Sequence, residues 1–224
     1  MDRAEWLRER RRICETRFDT LWAPIYDDHW GATINPTHLA CLSRFLASCP
    51  PGGAILDAAC GTGKYWATVR ERGFALTGSD QSRQMLLRAR AKFPDVPTHH
   101  VGLQEMSFQR AFDGIMCMDA MEQIFPEDWP LVLANFHRAL RDGGMLYITV
   151  ELIDDDEQRQ AYEAGQQEGL PVVFGEDTRE GGYHYYPDFE RVRGWLADAR
   201  FVILSEQTGD GYWHLISRAG QPTA

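Results

Sequence analysis

The pattern of apolar and polar residues changes near residue 53. Beyond that point, short apolar runs alternate with longer segments whose apolar residues recur every three to four positions. The short runs predict buried strands, and the longer segments predict helices with one apolar face. Such alternation is typical of a parallel sheet with crossover helices. The predicted strands are 54–58, 75–78, 98–101, 112–118 and 145–151, and the predicted helices are 64–72, 83–93 and 127–140.

The chain before residue 53 has a different pattern. Apolar residues at helical spacing among many charges predict a helix within 1–22, and a second helix is predicted at 37–46. The run Pro50-Pro51-Gly52-Gly53 then breaks the chain. We therefore assign residues 1–50 to an N-terminal helical cap or lid and residues 51–219 to an α/β core.

The C-terminal third contains one irregular segment and one hairpin. Residues 152–186 break the strand–helix alternation, with an acidic start and tyrosines near the end. Long connections in compact domains are often binding loops, so we expect a substrate-side insertion there. The apolar runs 201–206 and 213–217 surround Gly209-Asp210-Gly211, which predicts an antiparallel hairpin.

Gly143 and Gly144 are expected to stop the helix 127–140 before the fifth strand.

Composition narrows the classes of function. A net charge of −10 argues against a nucleic-acid partner, because basic surface supplies most of that affinity. The five cysteines show no C-x-x-C spacing, so we expect neither a metal site nor a redox pair. Scattered free cysteines are typical of a reducing compartment, so we expect a cytoplasmic location. No apolar run approaches about 20 residues, so no membrane span is expected.

The most informative motif is the loop after the first predicted strand. Asp57 ends the apolar run, and Gly61 and Gly63 follow it before the next helix. A dinucleotide site would need a third glycine at the position of Trp66. A pyrophosphate would also be repelled by Asp57, whereas a carboxylate suits the ammonium and sulfonium of S-adenosylmethionine (SAM). The loop therefore favours a SAM site over a nicotinamide site.

The segment from Asp57 to Gly63 resembles the first motif of class I SAM-dependent methyltransferases, with Ala59 where that family has glycine. The resemblance extends from about Pro36 to Arg218. It implies a Rossmann-like, doubly wound, mostly parallel seven-stranded sheet ending in an antiparallel hairpin. It also implies SAM as cofactor and S-adenosylhomocysteine as product.

Cofactor-binding residues follow from the motif, from strand ends and from the resemblance. Asp80, 17 residues after Gly63, can accept both ribose hydroxyls. By resemblance, Gln104 or Glu105 bonds the adenine, and the two remain equal candidates. Tyr26 and Trp30 are expected on the lid. The full candidate set is Asp57, Ala59, Gly61, Thr62, Gly63, Asp80, Gln81, Met85, Leu103, Gln104, Glu105, Met118, Tyr26 and Trp30.

The residues for the methyl acceptor are less defined. His184 is a candidate general base because its ordinary pKa is near neutrality. Glu122 is either a base or the start of a helix. We expect His29, Tyr183, Tyr185 and Trp213 to contact a small organic acceptor.

The predicted function is methyl transfer to a small molecule, with no nucleic-acid or membrane partner and no metal. The residues leave open the oligomeric state and the acceptor atom, which can be oxygen, nitrogen, carbon or sulfur. Two alternatives are a SAM-binding regulatory protein without catalysis and an NAD-dependent oxidoreductase, which Trp66 and Asp57 disfavour.

Overall fold

A seven-stranded sheet runs through the residues that the structure, a computed structural model, describes, which are 2–31 and 33–220. Two further strands, β6 (Glu176–Asp177) and β7 (His184–Tyr185), pair as a separate small hairpin. The strands of the sheet are β1 (Ala54–Ala58), β2 (Ala75–Asp80), β3 (Thr98–His100), β4 (Phe112–Cys117), β5 (Leu140–Glu151), β8 (Phe201–Gly209) and β9 (Tyr212–Ala219).

Strand order determines where the sheet can bind a ligand. The order is β3-β2-β1-β4-β5-β9-β8, with β1 to β5 parallel and β9 antiparallel to both neighbours. The chain reverses direction across the sheet between β1 and β4. In doubly wound sheets a crevice opens at the carboxyl ends of the strands at this switch point. This confirms the predicted fold class, including the terminal hairpin.

Helices cover both faces because successive strand residues point to opposite sides of the sheet. The helices are α1 (Arg3–Arg17), α2 (Pro36–Ala47), α3 (Trp66–Glu71), α4 (Arg83–Lys92), α5 (Trp129–Ala139), α6 (Asp155–Gln167) and α7 (Phe189–Asp198). Ile55 packs in one apolar cluster with residues of α2, α3 and α4, whereas Leu56 packs in the other with residues of α5 and α7. None of the helices within 2–31 and 33–220 is long and apolar enough to cross a membrane.

The N-terminal cap has one feature that the sequence pattern did not predict. After α1 the chain continues as two turns of wide (π) helix, Phe18–Trp22 and Asp27–Gly31. Residues 1 and 32 of the predicted cap lie outside the described residues. The helix α2 packs on the sheet, since Leu42 and Phe45 are fully buried in the same cluster as Ile55.

The predicted glycine stop after α5 is wrong. Leu140 is already extended, with φ −76° and ψ 146°, and pairs with Phe112 of β4. Met145 then pairs with Gly114, so residues 141–144 form a bulge inside β5. The two glycines lie in this bulge, where Gly143 takes a positive φ of +71°. They do not cap the helix.

The insertion contains regular structure. Its acidic start forms the first turn of α6, where the Asp154 side chain accepts a hydrogen bond from the Asp156 N–H. Carboxylates at this end interact favourably with the helix dipole. The helix α7, which follows the insertion, is a further element that the pattern left unassigned.

Candidate functional site

The glycine loop at the end of β1 takes a left-handed backbone. Ala59, Gly61 and Gly63 have φ of +58°, +52° and +78°. This explains why glycine suits the position of Ala59, because a side chain costs energy there. A Cβ added at Gly61 would meet nothing within 4 Å, so the loop leaves open space on the crevice side. The backbone can therefore approach a ligand closely.

Trp66 occupies the space that a third glycine would leave. Its indole packs over Gly63 and Gly78, and a Cβ built on Gly63 would lie 2.7 Å from the Trp66 ring. Its Nε1 donates a hydrogen bond of 2.8 Å to Asp57. Burial raises the pKa of Asp57 to about 8, against the effect of this bond. The Asp57 side chain thus contacts the indole and does not line the crevice.

Asp80 lies at the end of β2, beside the loop. One carboxylate oxygen accepts from the Gly61 N–H at 2.8 Å, and the other accepts from the Ser82 N–H at 2.7 Å. Burial raises the pKa of Asp80 to about 6, and these two bonds oppose the rise. Since each oxygen has a second lone pair, the carboxylate can also accept from a ligand.

The first cavity occupies the crevice at the switch point. It encloses about 850 Å³, part of it open to solvent. Eight of the residues predicted from sequence line it: Tyr26, Ala59, Gly61, Asp80, Gln81, Met85, Leu103 and Gln104. Of the two adenine candidates, Gln104 lines the cavity, whereas exposed Glu105 pairs with Arg11.

Four other predicted cofactor residues do not line the cavity. Thr62 and Gly63 belong to the loop, Met118 is buried in the core, and Trp30 is an exposed residue. The Trp30 ring lies 5.4 Å from that of Tyr26, so it packs against a residue that does line the cavity.

Sequence reasoning missed two groups of lining residues. Arg11, Cys14 and Phe18 come from α1 and its continuation, at the three- and four-residue spacing of one helix face. That spacing is the signal that could have identified them. The second group follows β4 and comprises Asp119, Ala120, Gln123, Ile124 and Phe125.

Two aspartates of the N-terminal segment, which lies beside the first cavity, form hydrogen bonds to the core. Asp27 accepts hydrogen bonds from Thr62 at 2.6 Å and from Lys92 at 2.8 Å. Asp19 accepts from the Ser82 hydroxyl at 2.5 Å. These contacts join the wide helical turns to the glycine loop and to the start of α4.

A second cavity adjoins the first. It encloses about 990 Å³, part of it open to solvent, and shares Cys14, Phe18 and Gln123 with the first cavity. His184 and Tyr183 line it, together with Trp22 from the N-terminal segment. The shared residues make the two cavities neighbours across a common wall.

His184 has the properties of a neutral base. Burial lowers its pKa below the ordinary value of 6.5, and Asp177 opposes the shift. Its Nδ1 lies 3.1 Å from the Tyr186 hydroxyl. With Nδ1 engaged in this way, Nε2 is left for a ligand.

Glu122 lies in a short 3₁₀ turn after β4 and is buried. Burial raises its pKa well above the usual range, and Glu151 adds to the rise. A raised pKa favours the protonated carboxyl group, which can donate a hydrogen bond. Of the two roles considered from the sequence, a base or the start of a helix, the shift disfavours the base.

The remaining acceptor candidates lie outside both cavities. Tyr185 is buried in the core, and Trp213 stacks on Phe189 at 4.3 Å between ring centres. His29 is exposed, with its Nδ1 3.1 Å from the Ile25 carbonyl in its own turn. The structure thus brings Tyr183 and His184 together but not these three. Among residues 2–31 and 33–220, no cluster of three or more His, Cys, Asp and Glu side chains is arranged to hold a metal.

Comparisons with known proteins agree with this geometry. A family model described as a methyltransferase domain matches residues 55–144. Demethylmenaquinone methyltransferase of Chlorobaculum parvum is 30% identical over 138 residues, covering 60% of this chain and 56% of that protein. The chain spans about half the length of the curated relatives it matches.

Solved structures share the fold. The N1-methyltransferase of Burkholderia thailandensis that was crystallised with 1,6-didemethyltoxoflavin and S-adenosylhomocysteine has a TM-score of 0.69 at 17% identity, covering 96% of this chain and 90% of that one. Magnesium protoporphyrin IX methyltransferase of Synechocystis PCC 6803, solved with bound SAM, has a TM-score of 0.68 at 16% identity, covering 93% and 96%. At these identities the likeness shows a common fold.

Proposed function

The chain belongs to the class I SAM-dependent methyltransferases, and from this premise we propose its reaction. We propose that it transfers a methyl group from SAM to a small organic acceptor. The main support for the proposal is the position of Asp80, which lines the first cavity beside the open glycine loop. The second cavity, which His184 lines, adjoins the first.

The residues of the first cavity fit SAM. The Asp80 carboxylate can accept the ribose hydroxyls, and Gly61 leaves room for close approach of the ligand. Gln104 supplies an amide for the adenine edge, and Met85 and Leu103 supply apolar contacts. When bound, SAM supplies a methyl group on a positively charged sulfur.

Hydrogen bonds between the N-terminal segment and the core support a role for this segment as a lid. Phe18 and Tyr26 lie in the wall of the first cavity, and Asp19 and Asp27 hold this segment to the core. A closed lid excludes water and holds an acceptor in line with the methyl group, which can lower the barrier by several kcal/mol. The segment has to open for the cofactor to exchange.

The second cavity is the proposed acceptor site. Its wall is shared with the first cavity, so an acceptor there would lie beside the cofactor. The neutral imidazole of His184 would take a proton from a hydroxyl or phenol acceptor. Tyr183 shapes the wall, with its hydroxyl donating to Glu176 at 2.7 Å.

Calorimetric titration with SAM, S-adenosylhomocysteine and NAD tests the cofactor. We expect both adenosyl ligands to bind and NAD not to bind. Binding of NAD alone would support an oxidoreductase and contradict the proposal. Binding of SAM together with failure of the protein to transfer labelled methyl to any of a broad set of small acceptors would support the regulatory alternative.

The variant Asp80→Ala tests the ribose contact. Charge-assisted hydrogen bonds contribute about 1.5–3 kcal/mol, so SAM affinity should fall by about 10- to 150-fold. Asp95→Ala is the matched control, because it removes an exposed carboxylate that pairs with Arg70. Unchanged SAM affinity in Asp80→Ala would remove Asp80 from the cofactor site.

A further inference from the structure

Two glutamates lie near each other beyond the carboxyl ends of β4 and β5. Glu151 is the last residue of β5, and Glu122 lies in the 3₁₀ turn Met121–Gln123 that follows β4. That turn packs against both β5 and β7. Gln123, the residue after Glu122, lines both cavities. The two glutamates therefore lie beside the wall that the cavities share.

Neither glutamate has a basic partner. Within 2–31 and 33–220, no lysine, arginine or histidine nitrogen lies within 4.0 Å of either carboxyl group. Glu122 is only 6% exposed, and its Oε2 is buried without a hydrogen-bond partner among the same residues. Leaving a buried acceptor without a donor costs free energy. A ligand that brings an N–H group to Glu122 would remove this cost.

The charges around the two glutamates are all negative. Burial raises the pKa of Glu122, and the nearby charges of Glu151 and Asp119 add to the rise. Burial also raises the pKa of Glu151, where Asp119 adds to the rise and the Tyr186 hydroxyl opposes it. Asp119 has its own partner, since its Oδ1 lies 2.6 Å from His38 Nε2. Without a ligand this repulsion favours a bound proton, and a bound cation can take its place.

Tyrosines border the two glutamates. Tyr212 of β9 is the direct partner of Glu151 in the antiparallel pair, which places the two side chains on one face of the sheet. The Tyr186 hydroxyl lies beside Glu151 and is 3.1 Å from Nδ1 of His184. Aromatic rings attract cations electrostatically. Carboxylates bordered by tyrosines therefore suit an ammonium group better than a neutral or anionic group.

We propose that the methyl acceptor carries an ammonium group and that Glu151 and Glu122 bind it. This inference rests on the proposed function, because it names the chemical class of acceptor for the same site. The ammonium group donates hydrogen bonds to the two carboxyl groups and compensates their negative charge. The rest of the acceptor extends into the second cavity, which His184 lines.

Matched acceptors that differ in one group test the proposal. A broad set of small amines is paired with the alcohols that carry a hydroxyl in place of the ammonium group, such as tyramine with tyrosol. Each compound is assayed with labelled SAM. Because charge-assisted hydrogen bonds are lost in the alcohols, kcat/KM for the amines should be about 10- to 150-fold higher. Equal or higher kcat/KM for the alcohols would overturn the proposal.

The variant Glu151→Gln tests whether the carboxylate selects the amines. It should lower kcat/KM for the amines by about 10- to 150-fold and leave that for the alcohols unchanged. The affinity for SAM, measured by calorimetry, should also stay unchanged. Glu163→Gln is the matched control, because it removes an exposed carboxylate of α6, and it should change none of these quantities.

A second variant, Glu122→Gln, should act in the same direction as Glu151→Gln. A loss of equal size for amines and alcohols in both variants would assign the glutamates a structural role and overturn the proposal. Unchanged kcat/KM for the amines in both variants would also overturn it. If the unmodified protein binds SAM but methylates no compound of either class, that result would instead contradict the proposed function.

Discussion

The indole Nε1 of Trp66 donates a hydrogen bond of 2.8 Å to the carboxylate of Asp57, and both side chains are buried. The first residue of α3 is thereby joined to β1, across the glycine loop that separates them. The indole fills the space between the helix and the sheet. The bond gives Asp57 a partner in a place that water does not reach.

Replacing Trp66 with phenylalanine should destabilise the protein. The buried carboxyl group loses its donor, and such a loss costs about 1–3 kcal/mol. Chemical denaturation measures the free energy of unfolding. In an Asp57→Asn background the same replacement should cost a different amount, because the two side chains are in contact. Strict additivity of the two substitutions would show that the bond contributes nothing to stability.

The pH dependence of stability should reveal Asp57 in the ligand-free protein. Burial raises its pKa from 3.8 to about 8 in the fold. A raised pKa means that the folded protein holds the proton more tightly, so this contribution to stability is lost as pH rises toward 8. Between pH 6 and pH 8 the loss from Asp57 is about 2 kcal/mol.

The variant Asp57→Asn isolates that contribution. Unfolding free energies measured at pH 6, 7 and 8 should decline less steeply in the variant than in the unmodified protein. His184 and His214, whose pKa values are lowered by burial, remain in both proteins and cancel from the comparison. Parallel pH curves would contradict the raised pKa of Asp57.

Gly78 in β2 should not tolerate a side chain. A Cβ at this position would overlap Cζ2 of Trp66 and lie 3.0 Å from the Cys60 sulfur. The indole is buried and cannot move aside, so Gly78→Ala should destabilise the protein by about 1–3 kcal/mol.

Gly194 provides the matched control for Gly78. It lies within α7, and a Cβ there would meet nothing within 4 Å. Alanine is the better helix former, so Gly194→Ala should stabilise the protein by about 0.5–1 kcal/mol. Thermal unfolding of the two variants should therefore shift in opposite directions. A neutral Gly78→Ala would mean that Trp66 can repack.

The sequence predicted the parts of the fold that local pattern determines. The strands β1, β2 and β4 were assigned to within about two residues, because each is an apolar run with a clear end. Ser82, a residue type that favours helix N-termini, caps α4, and its hydroxyl accepts from the Met85 N–H. The terminal hairpin followed from Gly209-Asp210-Gly211, where Asp210 and Gly211 both take positive φ.

Other features depend on contacts between distant segments and had no local signal. The indole of Trp66 packs between α3 and the sheet because Gly78, 12 residues later, provides the room for it. Asp119 and His38 are 81 residues apart, and only the fold places them in contact. The bulge at 141–144 likewise depends on pairing with β4.

His184→Gln should slow methyl transfer without changing the affinity for SAM. Loss of a positioned general base reduces turnover by about 10²- to 10⁴-fold for an acceptor that starts protonated. The measurement is turnover with an acceptor found by screening with labelled SAM, beside calorimetry with SAM itself. His99→Gln is the control, because His99 is exposed on the edge strand β3.

The pH profile separates a base at position 184 from a residue that only shapes the cavity. Burial lowers the pKa of His184 below 6.5, so the neutral, active form persists into mildly acidic solution. The rate should therefore fall only when the pH drops below 6.5, and it should rise to a plateau above that value. In His184→Gln this acidic limb should disappear along with most of the rate. A variant that keeps both the rate and the limb would assign the proton transfer to another group.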